Sequence, residues 1–163
     1  VLATPGAKIG IYAPHATATA PAVGLSLERR LTAIHGLAVR PVDNHLPVEL
    51  GGDMSGYSWS INGKTWPDPD VLMVRSGQRV MIDMVNQSMM SHPMHLHGHS
   101  FQVVALNGVA MRGARRDTVL VPPMARVTVA LDADNPGRWA LHCHNLYHMM
   151  AGMMTEMRYP DII

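Results

Sequence analysis

"GRWALHCHNLYHMMAGM", residues 137–153, carries the chain's only cysteine between two histidines, then a third histidine and a methionine further on. Its first part, residues 137–144, is a short aliphatic run that follows the turn signal "DNPGR", as a β-strand would be. In a strand, successive side chains point to opposite faces. His142 and His144 then share one face, and Cys143 turns to the other.

The same kind of run recurs. "YSWSING" (57–63), "DVLMVRSGQRVMIDMVNQS" (70–88), "SFQVVALNG" (100–108) and "DTVLVPPMARVTVAL" (117–131) are β-branched or aliphatic stretches bounded by Gly, Pro, Asn or Asp. No long helical pattern competes with them, although "LSLERRLTAIHGL" (25–37) has room for a short helix. These runs predict an all-β, Greek-key sandwich or barrel in one domain. The pattern begins near residue 48. Residues 1–47, with the Ala/Thr/Pro-rich "APHATATAPAVG" (13–24), read as a linker-like or irregular N-terminal extension, and residues 48–163 as the folded domain.

Composition narrows the function. The 163 residues are 47% hydrophobic and 15% charged with a formal net charge of +1. A core can be buried, and no basic run with interleaved aromatics points to nucleic acid. No apolar run reaches the ~18 residues of a membrane span. A single cysteine excludes an intramolecular disulfide. The chain opens on Val1 and lacks a signal-peptide pattern, which suggests a mature product or a piece of something longer.

Two counts stand out, 14 Met and 10 His. Met89, Met90, Met94, Met149, Met150, Met153, Met154 and Met157 lie in or beside the two histidine-rich segments. Methionine fills cores, but thioethers among imidazoles also suit copper, Cu(I) in particular.

The second histidine-rich segment is "HPMHLHGH" (92–99). On a strand His95 and His97 share a face, ~7 Å apart, as do His142 and His144. Such pairs serve two neighbouring metals better than one. On the thiol side, Cys143, His148 and Met153 together with His92 make two imidazoles, a thiolate and a weak axial thioether, the blue-copper ligand set. A closed zinc site does not suit one cysteine with histidines on both strand faces. A Cys-His nucleophile pair leaves five histidines unexplained. His15, His35 and His45 belong to no motif and read as ordinary surface or core residues.

"HPMHLHGH" followed by "HCHNLYHMMAGM" resembles the signature of the C-terminal cupredoxin domain of multicopper oxidases, a family that includes laccases, cuprous oxidases and copper-resistance oxidases. "GDMSGYSWSING" and "RRDTVLVPP" extend the likeness over residues 48–159. The resemblance implies that His92, Cys143, His148 and Met153 bind a type 1 copper, His95 a type 2 copper, and His97, His142 and His144 the type 3 pair. It implies one-electron oxidation of phenols or Cu(I) at the partly exposed edge of His148 and His92. Transfer through Cys143 and reduction of O₂ to water would follow. His99 has no ligand role in the family and would support a ligand from behind. Asp117 is the candidate proton donor.

The family completes its trinuclear cluster with histidines from an N-terminal domain. "AIHGL" is a single histidine and not such a pair, so this chain holds half a cluster. The implied partners are the remaining cupredoxin domains of a parent oxidase, or further copies of this chain in a dimer or trimer. A stand-alone one-copper electron carrier is the alternative. Copper handling implies a periplasmic or extracellular setting.

Overall fold

In the computed structural model, residues 3–11, 13, 15 and 17–160 are described. The Ala/Thr/Pro-rich stretch includes residues 14 and 16, outside that set, and its described residues carry no strand or helix. The expected short helix at 25–37 is a single 3-10 turn, Glu28–Arg30.

Among the described residues twelve strands follow: β1 (Asn44–Asp53), β2 (Ser58–Ile61), β3 (Leu72–Met73), β4 (Arg79–Asn86), β5 (His92–Leu96), β6 (Phe101–Leu106), β7 (Val109–Ala110), β8 (Arg115–Arg116), β9 (Thr118–Val121), β10 (Arg126–Asp132), β11 (Arg138–Cys143) and β12 (Met154–Arg158). One five-residue helix, α1 (Leu146–Met150), sits between β11 and β12. Strand order is β2-β1-β4-β10-β6-β7 in a seven-stranded sheet, with β8 also on β6, and β3-β12-β11-β5-β9 in a five-stranded one.

The two sheets form a sandwich because each strand offers alternate apolar residues to the space between them. Val80, Ile82 and Met84 of β4 and Val127, Val129 and Leu131 of β10 come from the larger sheet. Met94 and Leu96 of β5, Val119 and Val121 of β9, Leu141 and Cys143 of β11, and Met157 of β12 come from the smaller. Burial of one such side chain is worth about 1.5–3 kcal/mol.

Leu25 reaches this core, and Glu28 is buried with a carboxylate oxygen 3.2 Å from Arg116. The Leu37 N–H donates to Gln102 Oε1 at 2.8 Å. Residues 25–37 therefore pack on the sandwich. β1 opens at Asn44, four residues before the change of sequence pattern, because Asn44–Leu50 pair in parallel with β4.

Candidate metal centre

The antiparallel pairing of β5 with β11 brings the two histidine motifs together, with His142 opposite His95 and Cys143 opposite Met94. Directly paired residues share a face. His95 and His142 therefore turn away from the core, while Cys143 enters it beside Met94.

On the core side, Cys143 Sγ lies 3.7 Å from His92 Nδ1 and 3.8 Å from His148 Nδ1, and the two nitrogens are 3.1 Å apart. The chain after β11 builds this triangle by doubling back. The Asn145 side chain accepts the Tyr147 N–H and starts α1, which turns His148 inward. The Met153 N–H then donates to His148 O, and the Cys143 N–H to Met153 O, both at 3.1 Å. Met153 is fully buried against the loop. Trp59 closes the site, its ring stacked on His148 at 4.2 Å and edge-on to His92 at 5.2 Å.

Burial sets the protonation states. It holds His92 down at about 4, with help from the neighbouring His148, and lowers His148 as well. It pushes the Cys143 thiol up to about 11. At neutral pH the site offers neutral imidazoles and a thiol that must release its proton to bind a metal.

On the opposite face, donors of His95, His97 and His142 lie within 4.8 Å of one another. His97 Nε2 and His142 Nε2 are 3.0 Å apart. Carbonyl oxygens fix two of these rings, because they only accept. His95 Nδ1–H donates to Asp117 O and His142 Nδ1–H to Cys143 O, each at 3.0 Å, leaving Nε2 bare in both. His144 stands at the rim, exposed, its ring 5.6 Å from His95 and 5.8 Å from His142. Behind this face His99 Nδ1–H donates to His97 O at 3.3 Å and Nε2 accepts from Tyr159 O–H at 2.8 Å.

Three sequence expectations take a different form. His92 and His148 present no exposed edge, being 0% and 1% exposed, because Trp59 covers their rings and the Tyr57 ring lies 6.5 Å from His148. The methionines divide: Met94, Met153 and Met157 are core residues, whereas Met89 and Met150 are about four-fifths exposed at 79% and 80%. Asp117 reaches His95 mainly through its backbone carbonyl, its carboxylate oxygen standing 3.8 Å from His95 Nδ1. His15, His35 and His45 are exposed and join neither donor group. Trp59, within "GDMSGYSWSING" and far in sequence from both histidine motifs, and Asn145, Ser88 and Asn86, which lie in or beside them, also shape the thiol-side site, and none of the four was marked in the sequence as a site residue.

The sequence profile of the multicopper oxidase family matches residues 40–161. The chain belongs to the multicopper oxidase family. It is 50% identical over 121 residues to the multicopper oxidase MmcO of Mycobacterium tuberculosis, covering 74% of this chain and 24% of that protein. It is 42% identical over 116 residues to a copper resistance protein A homolog of Pseudomonas syringae, covering 71% and 19%. The blue copper oxidase of Nitrosomonas europaea superposes with a TM-score of 0.70 at 25% identity, over 74% of this chain and 45% of that one. The chain thus spans about a quarter or less of the curated relatives it matches.

The fold is that of a multicopper oxidase cupredoxin domain, and copper is the family's metal. The thiol-side donors suit it. The centre of their triangle lies roughly 2 Å from each atom, a bond length from imidazole or thiolate to a first-row metal. Among the described residues no helix is long and apolar enough to cross a membrane.

Proposed function

We propose that this cupredoxin domain holds the type 1 copper and half of the trinuclear cluster of a multicopper oxidase. The observation that carries the reading is the buried triangle of Cys143 Sγ, His92 Nδ1 and His148 Nδ1, with edges of 3.1–3.8 Å. His92, Cys143, His148 and Met153 are the type 1 ligands in this reading. His95 goes to the type 2 copper, and His97, His142 and His144 to the type 3 pair. In this reading the domain takes residues 48–163 and the extension residues 1–47, although Asn44–Pro47 already run in β1 and Leu25, Glu28 and Leu37 contact the sandwich.

Bound copper supplies one-electron chemistry, accepting electrons from a reductant and delivering them to O₂. The chain's contribution is placement. Cys143 is joined by peptide bonds to His142 and His144, so the two donor sets are connected by covalent backbone. Trp59 and the core exclude water from the thiol side. The exposed His97 and His144 leave the other face open to the histidines of another cupredoxin domain. Those domains, or further copies of this chain, are the proposed partners. The relatives named for copper resistance favour Cu(I) over phenols as substrate and a periplasmic or secreted setting. The exposed Met150, two residues after His148 at the end of α1, supports the same choice by offering a thioether at the surface over the thiol side.

Copper reconstitution tests the reading. One tightly held copper per chain should give an intense blue colour that Cys143→Ser abolishes. Colour that survives Cys143→Ser, or none in the wild type, overturns it. Cuprous oxidation unaffected in a Met149/Met150/Met154→Leu variant of the full oxidase would overturn the Cu(I) preference and leave phenols.

A further inference from the structure

We propose that Asn86 and Ser88 are positioning residues that decide which nitrogen of His92 carries hydrogen, and so keep its Nδ1 lone pair aimed at Cys143. The inference deepens the proposed type 1 role of His92, yet its central claim concerns the metal-free protein.

The argument is an account of hydrogens. Asn86, at the end of β4, is fully buried. Its Nδ2 lies 2.7 Å from Met90 O and 3.0 Å from both Val121 O and Pro122 O. Carbonyls only accept, so the amide has one possible orientation, with Oδ1 towards Ser88. That oxygen takes the Ser88 N–H and the Ser88 hydroxyl, both at 2.8 Å. A serine hydroxyl has one hydrogen. With it given to Asn86, Ser88 Oγ can only accept from His92 Nε2, 2.7 Å away. Nε2 therefore carries the hydrogen and Nδ1 is bare.

The reverse scheme has the hydroxyl donating to a bare Nε2. It sets the lone pairs of Oγ and Oδ1 against each other in a dry interior, which disfavours it on the order of tenfold to a hundredfold. The same amide also locates the ring. Val121 pairs with His92 across β9 and β5, and Asn86 belongs to the other sheet. One side chain thus ties the larger sheet to β9, the strand that pairs with the ligand's own, and to the segment just before His92.

His148 is the contrasting case. Asn145 Oδ1 accepts the Tyr147 N–H at 3.2 Å, which leaves Nδ2 facing His148 Nε2 at 3.3 Å. Nε2 then accepts, and Nδ1–H points at the bare Nδ1 of His92, 3.1 Å away. One imidazole is preset for metal, and the other must exchange its tautomer when metal arrives.

Long-range ¹H–¹⁵N NMR of the metal-free protein at pH 7.5 reads both tautomers directly. The expected wild-type spectrum has His92 as Nε2–H and His148 as Nδ1–H. Ser88→Ala should reduce the His92 preference at least several-fold, and Ser88→Thr, which retains the hydroxyl, should restore it. In the copper-loaded protein, Ser88→Ala should release copper roughly tenfold faster, with Ser88→Thr near wild type. A wild-type His92 protonated on Nδ1, or a Ser88→Ala spectrum identical to wild type at His92, overturns the inference. A protein that takes up no blue copper but shows the expected tautomers and their Ser88 dependence would overturn the functional reading alone.

Discussion

His142 and Cys143 are consecutive residues whose side chains belong to different donor groups. His142 Nε2 lies 3.0 Å from His97 Nε2, while Cys143 Sγ lies 3.7 Å from His92 Nδ1 through the other face of the sheet. The strand pleat alone produces this separation, and one peptide unit joins the two sides. The two donor groups should consequently be separable by mutation. His97→Ala should leave the thiolate-to-metal absorption of the Co²⁺-loaded protein within about a tenth of wild type, whereas His92→Ala should remove most of it. Equal loss in both variants would mean that the two faces do not act as independent sites.

Cys143 combines full burial with a thiol pushed up to about 11. The thiolate is the reactive form, so the metal-free native protein should resist thiol reagents at pH 8 and react at once in denaturant. The raised value also sets a sign for stability. Below the ordinary cysteine range the thiol's contribution is fully present, and it is lost as pH rises towards 11. Alkaline unfolding of the metal-free wild type should therefore begin earlier than that of Cys143→Ala when each is compared with its own stability at neutral pH. Rapid native labelling at pH 8 would contradict the buried placement.

His92 works in the opposite direction. Its folded value, about 4, lies below the ordinary 6.5, with burial the main cause and the charge of His148 the second. A depressed value contributes stability above 6.5 that disappears as pH falls through 4. Metal-free protein should lose roughly 3 kcal/mol from this group across that window. A His92→Gln variant should show a flatter stability profile between pH 6.5 and 4 in denaturant titrations. Parallel profiles would show that His92 is not held neutral by the fold.

The sandwich was legible because its strands announce themselves twice, by aliphatic runs and by the turns that bound them. "DVLMVRSGQRVMIDMVNQS" contains β3, a turn and β4 in that order. β12 was not singled out. Its residues, Met154–Arg158, mix thioether, acid and base, and they become a strand by pairing with β11 and β3. The donor groups were legible from alternation, since the period of a strand assigns His142 and Cys143 to opposite faces without any tertiary information. Burial of His92 and His148 was not, because it depends on Trp59 arriving from β2, far away in sequence. The same holds for Asn86 and Ser88, whose effect on His92 exists only once two sheets have met.

Gly98 separates His97 from His99 and sits against Trp139. Its φ is +68°, and a Cβ there would fall 2.3–2.5 Å from three carbons of the Trp139 ring. The ring has little freedom to move, since its Nε1–H donates to Asn135 O and the Asn135 side chain donates to Gly98 O, both at 2.8 Å. Gly98→Ala should then displace the loop that presents His97 and lower stability by about 2–4 kcal/mol, combining overpacking with the left-handed backbone. Gly108→Ala is the control, because Gly108 has a similar φ of +79° but no atom within 4 Å of the added carbon. It should show the backbone cost alone. Thermal unfolding of the two variants isolates the clash. Metal titrations should find the histidine face weakened in Gly98→Ala and the thiol side unchanged. If the two glycine variants are equally stable, Trp139 does not brace the His97 loop, and if both donor groups weaken together, the effect is a general loosening of the sandwich.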